Sequence, residues 1–403
     1  MAIPMPVPKA KPGEEFAYYF QYAVFLKEEG NSQIFLDTYQ YDALYPPIYT
    51  NLDTYVSVPD LERIYAPYLT HREEENELIF YYENLKTGVR TVRMEEWVYK
   101  KQNGVYYVPV IGLMANGFGK PAMNQSDLTV IAVDATEKPE AKYSAMVERK
   151  RLKDRLHDKK YGEMNYTLWL EEGNRLIPYR MYIPLCYREG TPNKVLVCFH
   201  GGDANPDYMF YHTHNEIQNY AERHGYILLA LCSYRKYTFF GASKIPAGLP
   251  EDDPENPAGL TEEEKIWSDI AERSVKLQME AAEKRYCIDA NRRYALGNSG
   301  GSMGIFRQVD VLPTNTFRTV ICSGGCPWEK NVNVEGLKTK GTRFLLLLGS
   351  EDEYAGPRPY LESYPYLKKE GLDIDLQLIG GGTHLLGWTH ALPEIFSYLE
   401  EHS

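Results

Sequence analysis

Residues 294–304 read Tyr-Ala-Leu-Gly-Asn-Ser-Gly-Gly-Ser-Met-Gly, a stretch that holds the pattern Gly-x-Ser-x-Gly twice in overlapping frames. A serine hydroxyl attacks an electrophile only when a base takes its proton and its geometry is fixed. A tight turn from strand to helix supplies that geometry. It demands glycine two residues before and two after the serine, because the two backbones nearly touch there. Both frames meet the demand: Gly297 and Gly301 flank Ser299, and Gly300 and Gly304 flank Ser302. The preceding residues separate them. Arg-Arg-Tyr-Ala-Leu (292–296) reads as a strand ending directly before Gly297, which puts Ser299 at the turn. Placing Ser302 there would make Leu-Gly-Asn-Ser-Gly the strand, a poor one with two glycines and an asparagine. Ser299 is the expected nucleophile and Ser302 the alternative. The helix that follows points its N-terminal amides at Ser299, where they favour developing negative charge.

Three further stretches match this chemistry. Lys-Val-Leu-Val-Cys-Phe (194–199) is a strand that ends in His200-Gly201-Gly202. Two adjacent glycines let backbone N–H groups converge on an oxyanion, and the amides of Gly202 and Gly300 are the natural donors. His200 is expected to hold this loop at the edge of the substrate. The strand at 343–349 is followed by Glu351-Asp352-Glu353, three acids of which one can orient a histidine. The strand at 373–379 leads into Gly-Gly-Gly-Thr-His, which places His384 on a glycine loop. Serine, acid and histidine follow in that order, each at the C-terminal end of an expected strand, where open parallel sheets gather ligands. The remaining candidates are weaker. His390 opens a helix and reads as a surface group. His212 and His214 lack a third ligand, and Cys322 and Cys326 lack a second pair, so neither a metal nor another cofactor is expected.

The elements that must position these residues can be traced from Tyr166 onward. Strand-like runs occupy 166–170, 176–184, 194–199, 226–232, 292–296, 318–323, 343–349 and 373–379. Helical patterns alternate with the later ones. One covers 207–224 and is closed by Gly225. A second starts at Thr261, with Glu264 completing a capping box, and turns Ile266, Ile270, Leu277 and Ala281 inward. A last one starts near His390 and turns Leu392, Ile395, Phe396 and Leu399 inward. Continuous apolar strands alternating with helices predict an α/β fold, a doubly wound and mostly parallel sheet.

From about Ile177 to the C-terminus the chain resembles the α/β-hydrolase esterases of the polyhydroxybutyrate-depolymerase and feruloyl or acetyl-xylan esterase type. Asp289, Arg292, Tyr294, Gly297, Ser299 and Gly301 follow that family's layout, and the chain departs from it only after the serine, where Gly-Gly-Ser-Met-Gly replaces the commoner Met-Gly-Gly order. The resemblance implies Ser299 as nucleophile, His384 as general base and Asp352 as the residue that orients it, with Glu351 the alternative acid. It also implies an oxyanion hole from the Gly202 and Gly300 amides.

Residues 1–135 read as a smaller β-rich domain with an internal repeat. Tyr-Val-Ser-Val-Pro-Asp-Leu from Tyr55 matches Tyr-Val-Pro-Val-Ile-Gly-Leu from Tyr107, and the strand-like run at 77–81 falls on that at 129–133. Each copy is a strand, a short amphipathic piece and another strand. This resembles the copper-amine-oxidase-like N-terminal domain, an accessory module, and nothing here would ligate copper. Residues 140–160, dense in Lys and Arg, read as a solvated helix within a connector spanning 136–165. The hydrolase-like domain is then 166–403.

The net charge of −12 argues against nucleic acid or an anionic membrane as partner. No run of about 18 apolar residues exists to span a bilayer. The first residues, broken by prolines, do not form a signal peptide, so a cytoplasmic location is expected. All six cysteines lie after residue 180, several in apolar runs, as buried free thiols do. The loop at 233–259 is long enough to shape a pocket. Tyr234, Tyr237, Phe239, Phe240, Trp328 and Trp388 are its aromatic candidates for an aromatic or sugar-binding cleft. The expected activity is hydrolysis of a carboxylic ester, with acetyl or feruloyl esters of carbohydrate favoured. A serine peptidase on the same fold and a non-catalytic binding protein are the alternatives. The N-terminal domain is expected to position the hydrolase, by binding polymer or by forming a homo-oligomer.

Overall fold

A central strand of a parallel sheet is covered on both faces, so its sequence is apolar throughout. Val195–Phe199, Tyr294–Gly297, Thr319–Ser323 and Phe344–Gly349 fit that description and are buried along their whole length. The computed structural model describes residues 20–28, 30–84, 88–139, 161–202, 204–244, 260–355 and 357–403. The basic segment at 140–160 and most of the expected pocket loop, 245–259, lie outside the described residues. Among the described residues, contacts divide the chain into two units. One contains Tyr179–Ser403 with residues 161–164, and the other contains residues 20–139 with Asn165–Pro178.

In the C-terminal unit the strand order is 179–183, Ile227–Ala230, Asn193–Phe199, Ile288–Asn298, Thr319–Ser323, Arg343–Gly349, Ile374–Ile379. The first of these pairs antiparallel, through Arg180, Met181 and Tyr182, and the rest are parallel. The sheet is therefore mixed. Alternate side chains go to opposite faces. Leu196, Cys198, Tyr294, Leu296, Ile321, Leu345 and Leu347 share one core with Ile217 and Ala221, and with Trp388, Ile395, Phe396 and Leu399 of the last helices. On the other face Phe199 meets Phe240 edge to face at 4.9 Å, and Phe344 stacks on Phe306 at 5.0 Å.

The helices depart from expectation in two places. The pattern over 207–224 is broken into Tyr208–Tyr211 and Glu216–His224, because His214 and Asn215 both take left-handed φ, at 50° and 67°. Gly225 closes the second piece at φ 70°, as expected. The helix Glu262–Arg285 has the full Thr261/Glu264 capping box. Its inward face is rotated from the one expected. Ile266 and Leu277 are 57% and 39% exposed, whereas Ala271, Ser274, Val275, Gln278 and Ala282 are buried. Gln278 explains the shift: its amide clamps the Cys232 backbone, accepting from N–H at 2.8 Å and donating to the carbonyl at 2.9 Å. A satisfied polar side chain replaces an apolar one at the centre of the stripe.

The N-terminal unit contains the strand order Ala122–Asn124, Leu128–Ala132, Tyr22–Leu26, Gln33–Leu36, Tyr39–Asp42, 165–170, plus smaller sheets of four and three strands. The two sequence repeats both run from strand into helix. Thr54–Ser57 leads into Val58–Ile64, and Val105–Pro109 leads into a π-helical turn at Ile111–Gly117. The two strands pair antiparallel, with Tyr107 opposite Ser57. The second helix is capped from the first copy, since the Asp53 carboxylate accepts from the amides of Ile111 and Gly112, both at 3.0 Å. Among the described residues no helix is long and apolar enough to cross a membrane.

Candidate active site

The strand Ile288–Asn298 runs directly into the helix Gly300–Val311, and Ser299 alone forms the corner at φ 56°, ψ −122°. A non-glycine residue in that region stores strain and persists only when its surroundings hold it. The surroundings here are close. A Cβ on Gly297 would stand 2.6 Å from the carbonyl carbon of Gly301, and one on Gly301 would stand 2.1 Å from the Phe199 oxygen. Glycine is required at both places, which is why Gly297 and Gly301 bracket the turn. The Ser299 amide donates to the Ser323 carbonyl at 2.8 Å and ties the corner to the neighbouring strand.

Ser302 is placed differently. It is fully buried, and its Oγ lies 2.7 Å from the Ser323 carbonyl and 2.9 Å from that of Gly297. Its hydroxyl binds the helix to the turn and faces no open space.

The acid and histidine loops leave the next two strands and cross at their glycines. A Cβ on Gly349 would lie 2.2 Å from the Gly382 carbonyl oxygen. The Glu351 amide donates to that same carbonyl at 2.9 Å, and the Gly381 amide donates to Ser350 Oγ at 2.8 Å. This crossing brings three predicted residues together. His384 Nε2 is 2.9 Å from Ser299 Oγ, and its Nδ1 is 3.0 and 3.2 Å from the two Asp352 oxygens. A carboxylate only accepts, so Nδ1 carries the proton and Nε2 is the acceptor that faces the serine hydroxyl. Asp352 is 8% exposed and also accepts from the amides of Tyr354 at 3.0 Å and Ala355 at 2.9 Å. Burial pushes its carboxyl upward, but the His384 hydrogen bond and charge together with the two amides hold it below the usual carboxylate range. Glu351 is exposed.

Asn298, the residue before the corner, was not singled out by sequence reasoning. It is 1% exposed, its Nδ2 donates to the His384 carbonyl at 3.0 Å, and its Oδ1 accepts from Tyr208 at 3.3 Å. It fixes the histidine loop to the serine turn. Its only trace in the sequence is its position inside the motif.

Among the described residues, neither the Gly202 nor the Gly300 amide is taken by an acceptor, although the Gly202 carbonyl accepts from Tyr237 at 3.1 Å. The two glycines are close, since the ring of Phe239 abuts both. A Cβ on Gly300 would meet it at 2.1 Å and one on Gly202 at 2.9 Å. Phe239 is half-buried, and Tyr237 meets it edge to face at 6.2 Å. Beside the imidazole, Tyr354 lies 5.1 Å from the His384 ring and is 55% exposed, with Leu385 and Leu386 also exposed. Tyr354 was also missed, because its contact with the imidazole arises only when the two loops cross.

Several of the residues expected to contact substrate lie buried. Trp388 is fully buried in the core beneath the last helix, since a large indole there fills space between helix and sheet. Phe240 is fully buried and Tyr234 is 5% exposed, so neither presents a face to a ligand. His200 is 2% exposed and is spent on structure: Nδ1–H donates to the Gly201 carbonyl at 2.7 Å, and Nε2 accepts the Ser233 amide at 3.1 Å. Burial lowers its pKa to about 4, against a small upward pull from the Gly201 carbonyl. Trp328 is half-buried with the Arg358 guanidinium 5.3 Å over its ring. His212 stacks on Tyr208 at 4.5 Å and donates from Nε2 to the Leu385 carbonyl at 3.0 Å. Among the described residues no three His, Cys, Asp or Glu side chains converge as a metal site requires.

No family model and no curated protein matches the chain. Solved structures do show likenesses. A thermostable esterase is 15% identical and covers 95% of this chain and 90% of its own, with a TM-score of 0.46. An S-formylglutathione hydrolase from Agrobacterium tumefaciens is 13% identical over 61% of this chain and 97% of its own, with a TM-score of 0.46. The poly(3-hydroxybutyrate) depolymerase LpqC from Bordetella parapertussis is 18% identical over 62% and 92%, with a TM-score of 0.41.

Proposed function

We propose that the chain is a serine carboxylic-ester hydrolase of the α/β-hydrolase type. The observation that carries this reading is the relay itself, Ser299 Oγ at 2.9 Å from His384 Nε2 with Asp352 on the far nitrogen. Ser299 Oγ attacks the ester carbonyl while His384 takes its proton, and Asp352 stabilises the imidazolium that forms. The oxyanion lies between the Gly202 and Gly300 amides. The alcohol leaves with the proton from His384, and water repeats the sequence to release the acid. Acetyl or feruloyl esters of carbohydrate are the proposed substrate class. For the N-terminal unit, the two strand-to-helix copies support an accessory module like the amine-oxidase-like domain, which positions the hydrolase by binding polymer or a second copy.

A fluorophosphonate should label Ser299, and Ser299→Ala should lower kcat/KM on a small chromogenic ester by about 10⁴-fold or more. Acetyl, butyryl, feruloyl and aminoacyl esters, tested beside peptide amides, separate esterase from peptidase. A covalent adduct on Ser302, or an active Ser299→Ala protein, would overturn the assignment.

A further inference from the structure

We propose that Phe239 closes the acyl side of this site and limits the acid part of the ester to a short group of the acetyl class. The inference rests on Ser299 being the nucleophile. The tetrahedral carbon formed there carries four groups: Ser299 Oγ, the oxyanion, the departing alcohol and the acyl substituent. The oxyanion points at the Gly202 and Gly300 amides, and the alcohol must lie on the His384 side to receive its proton. The acyl substituent takes the remaining direction, away from the imidazole and past the oxyanion glycines. The ring of Phe239 lies against both of these glycines, so close that Gly300 cannot carry a Cβ without moving it.

The segment that carries this ring is strained and firmly held. Tyr237, Phe239, Phe240 and Gly241 have φ of 62°, 47°, 57° and 95°. Left-handed non-glycine residues cluster where a site over-determines its backbone. Here Ser233 Oγ accepts the Phe240 amide at 3.1 Å and lies 2.7 Å from Thr238 Oγ1. Gln308 donates to the Phe240 carbonyl at 2.7 Å, and the Tyr237 amide donates to Gly202 at 3.1 Å. His200 holds Ser233 from below. A ring mounted this way is a wall and does not yield to a longer chain. Against the exposed Tyr354, Leu385 and Leu386 beside His384, it makes the acyl side the narrow one.

The test measures kcat/KM for p-nitrophenyl acetate, octanoate and ferulate in the wild type, Phe239→Ala, Phe239→Leu and Tyr354→Ala. The wild type should favour acetate over the two larger acyl groups by about 10²-fold. Phe239→Ala should cut that preference at least about tenfold, with Phe239→Leu in between. Tyr354→Ala should move all three esters together, because they share a leaving group. Equal rates on the three esters in the wild type, or an unchanged preference in a folded Phe239→Ala protein, would overturn the wall. If circular dichroism shows Phe239→Ala unfolded, Phe239→Leu decides. Fluorophosphonate labelling separates the two claims. Ser299 labelled with preference unchanged removes only the wall, whereas Ser299 unlabelled removes the hydrolase reading beneath it.

Discussion

Two buried aspartates, one in each unit, hold similar sets of donors, and only Asp352 binds a histidine that reaches a serine hydroxyl. Asp60 is fully buried and accepts from Tyr41 Oη at 2.7 Å, from the amides of Leu44 at 2.8 Å and Tyr45 at 3.2 Å, and from Ser57 Oγ at 2.5 Å. Every donor belongs to its own unit, and each of those contacts only joins a loop or strand to the helix. Asp352 is nearly as buried and likewise accepts two amides, from Tyr354 and Ala355. Its remaining capacity goes to an imidazole whose opposite nitrogen faces a strained serine hydroxyl. Burial and hydrogen-bond count do not distinguish the two. What the bound donor does with its other end does.

The comparison is broken most directly at the relay. His384→Ala should lose about as much activity as Ser299→Ala, on the order of 10⁴- to 10⁶-fold, and the double variant should be no worse, because the members act as a unit. Asp352→Asn should lose about 10³- to 10⁴-fold, since an amide holds the wrong imidazole tautomer. Glu351→Gln should stay close to the wild type. Steady-state kinetics on one small ester checks all four. A crippled Glu351→Gln beside an active Asp352→Asn would move the acid to its neighbour.

Asp60→Asn sharpens the other half. The amide nitrogen replaces one of the two oxygens, so it faces either the Leu44 or the Tyr45 N–H donor, and the substitution should cost about 2–4 kcal/mol in denaturant unfolding. The kcat/KM of the folded fraction should stay within about twofold of the wild type, because Asp60 touches no reacting group. A folded Asp60→Asn protein that had lost its activity would show that the N-terminal unit helps to build the site.

Much of the site was legible because its chemistry sits at strand ends. Each strand stops where its apolar run stops, so the sequence alone puts Gly202, Ser299, Asp352 and His384 along one edge of a sheet. The strand ending at Leu296 put Ser299, not Ser302, at the turn, and Ser299 is the residue at that corner, with Gly297 and Gly301 packed too closely to carry a Cβ. What stayed hidden depends on contacts between elements. Trp388, just after a glycine-rich loop, has the composition of a ligand platform, yet it lies in the short helix Gly387–His390 and fills the space between helix and sheet. Ile266 and Leu277 fit a helical stripe by spacing, but Gln278 and Ser274 hold the buried face through hydrogen bonds that hydropathy cannot register. Tyr354 and Asn298 acquire their roles only once the loops cross.

A pH-dependent effect concerns the second buried histidine of the C-terminal unit. His200 uses Nδ1–H on the Gly201 carbonyl and Nε2 on the Ser233 amide, so it is held neutral with no position left for a second proton. Burial sets its pKa at about 4 in the folded chain, and an unfolded histidine titrates near 6.5. Between those values the unfolded chain binds the proton and the native chain does not. Stability is therefore full above about pH 6.5, falls as the pH drops toward 4, and stops changing on this account below that. The window of roughly 2.5 pH units corresponds to about 3 kcal/mol. His200→Gln cannot titrate. It should be less stable than the wild type at neutral pH through lost packing against Phe240, whose ring lies 5.0 Å away. It should then lose about 3 kcal/mol less between pH 7 and pH 4. Unfolding both proteins in urea at pH 7, 5.5 and 4 measures the difference. Parallel losses in the two would mean that folded His200 takes up its proton as readily as the unfolded residue, giving up its bond to the Ser233 amide at no net cost, and the loop that carries Phe239 would not depend on a neutral ring.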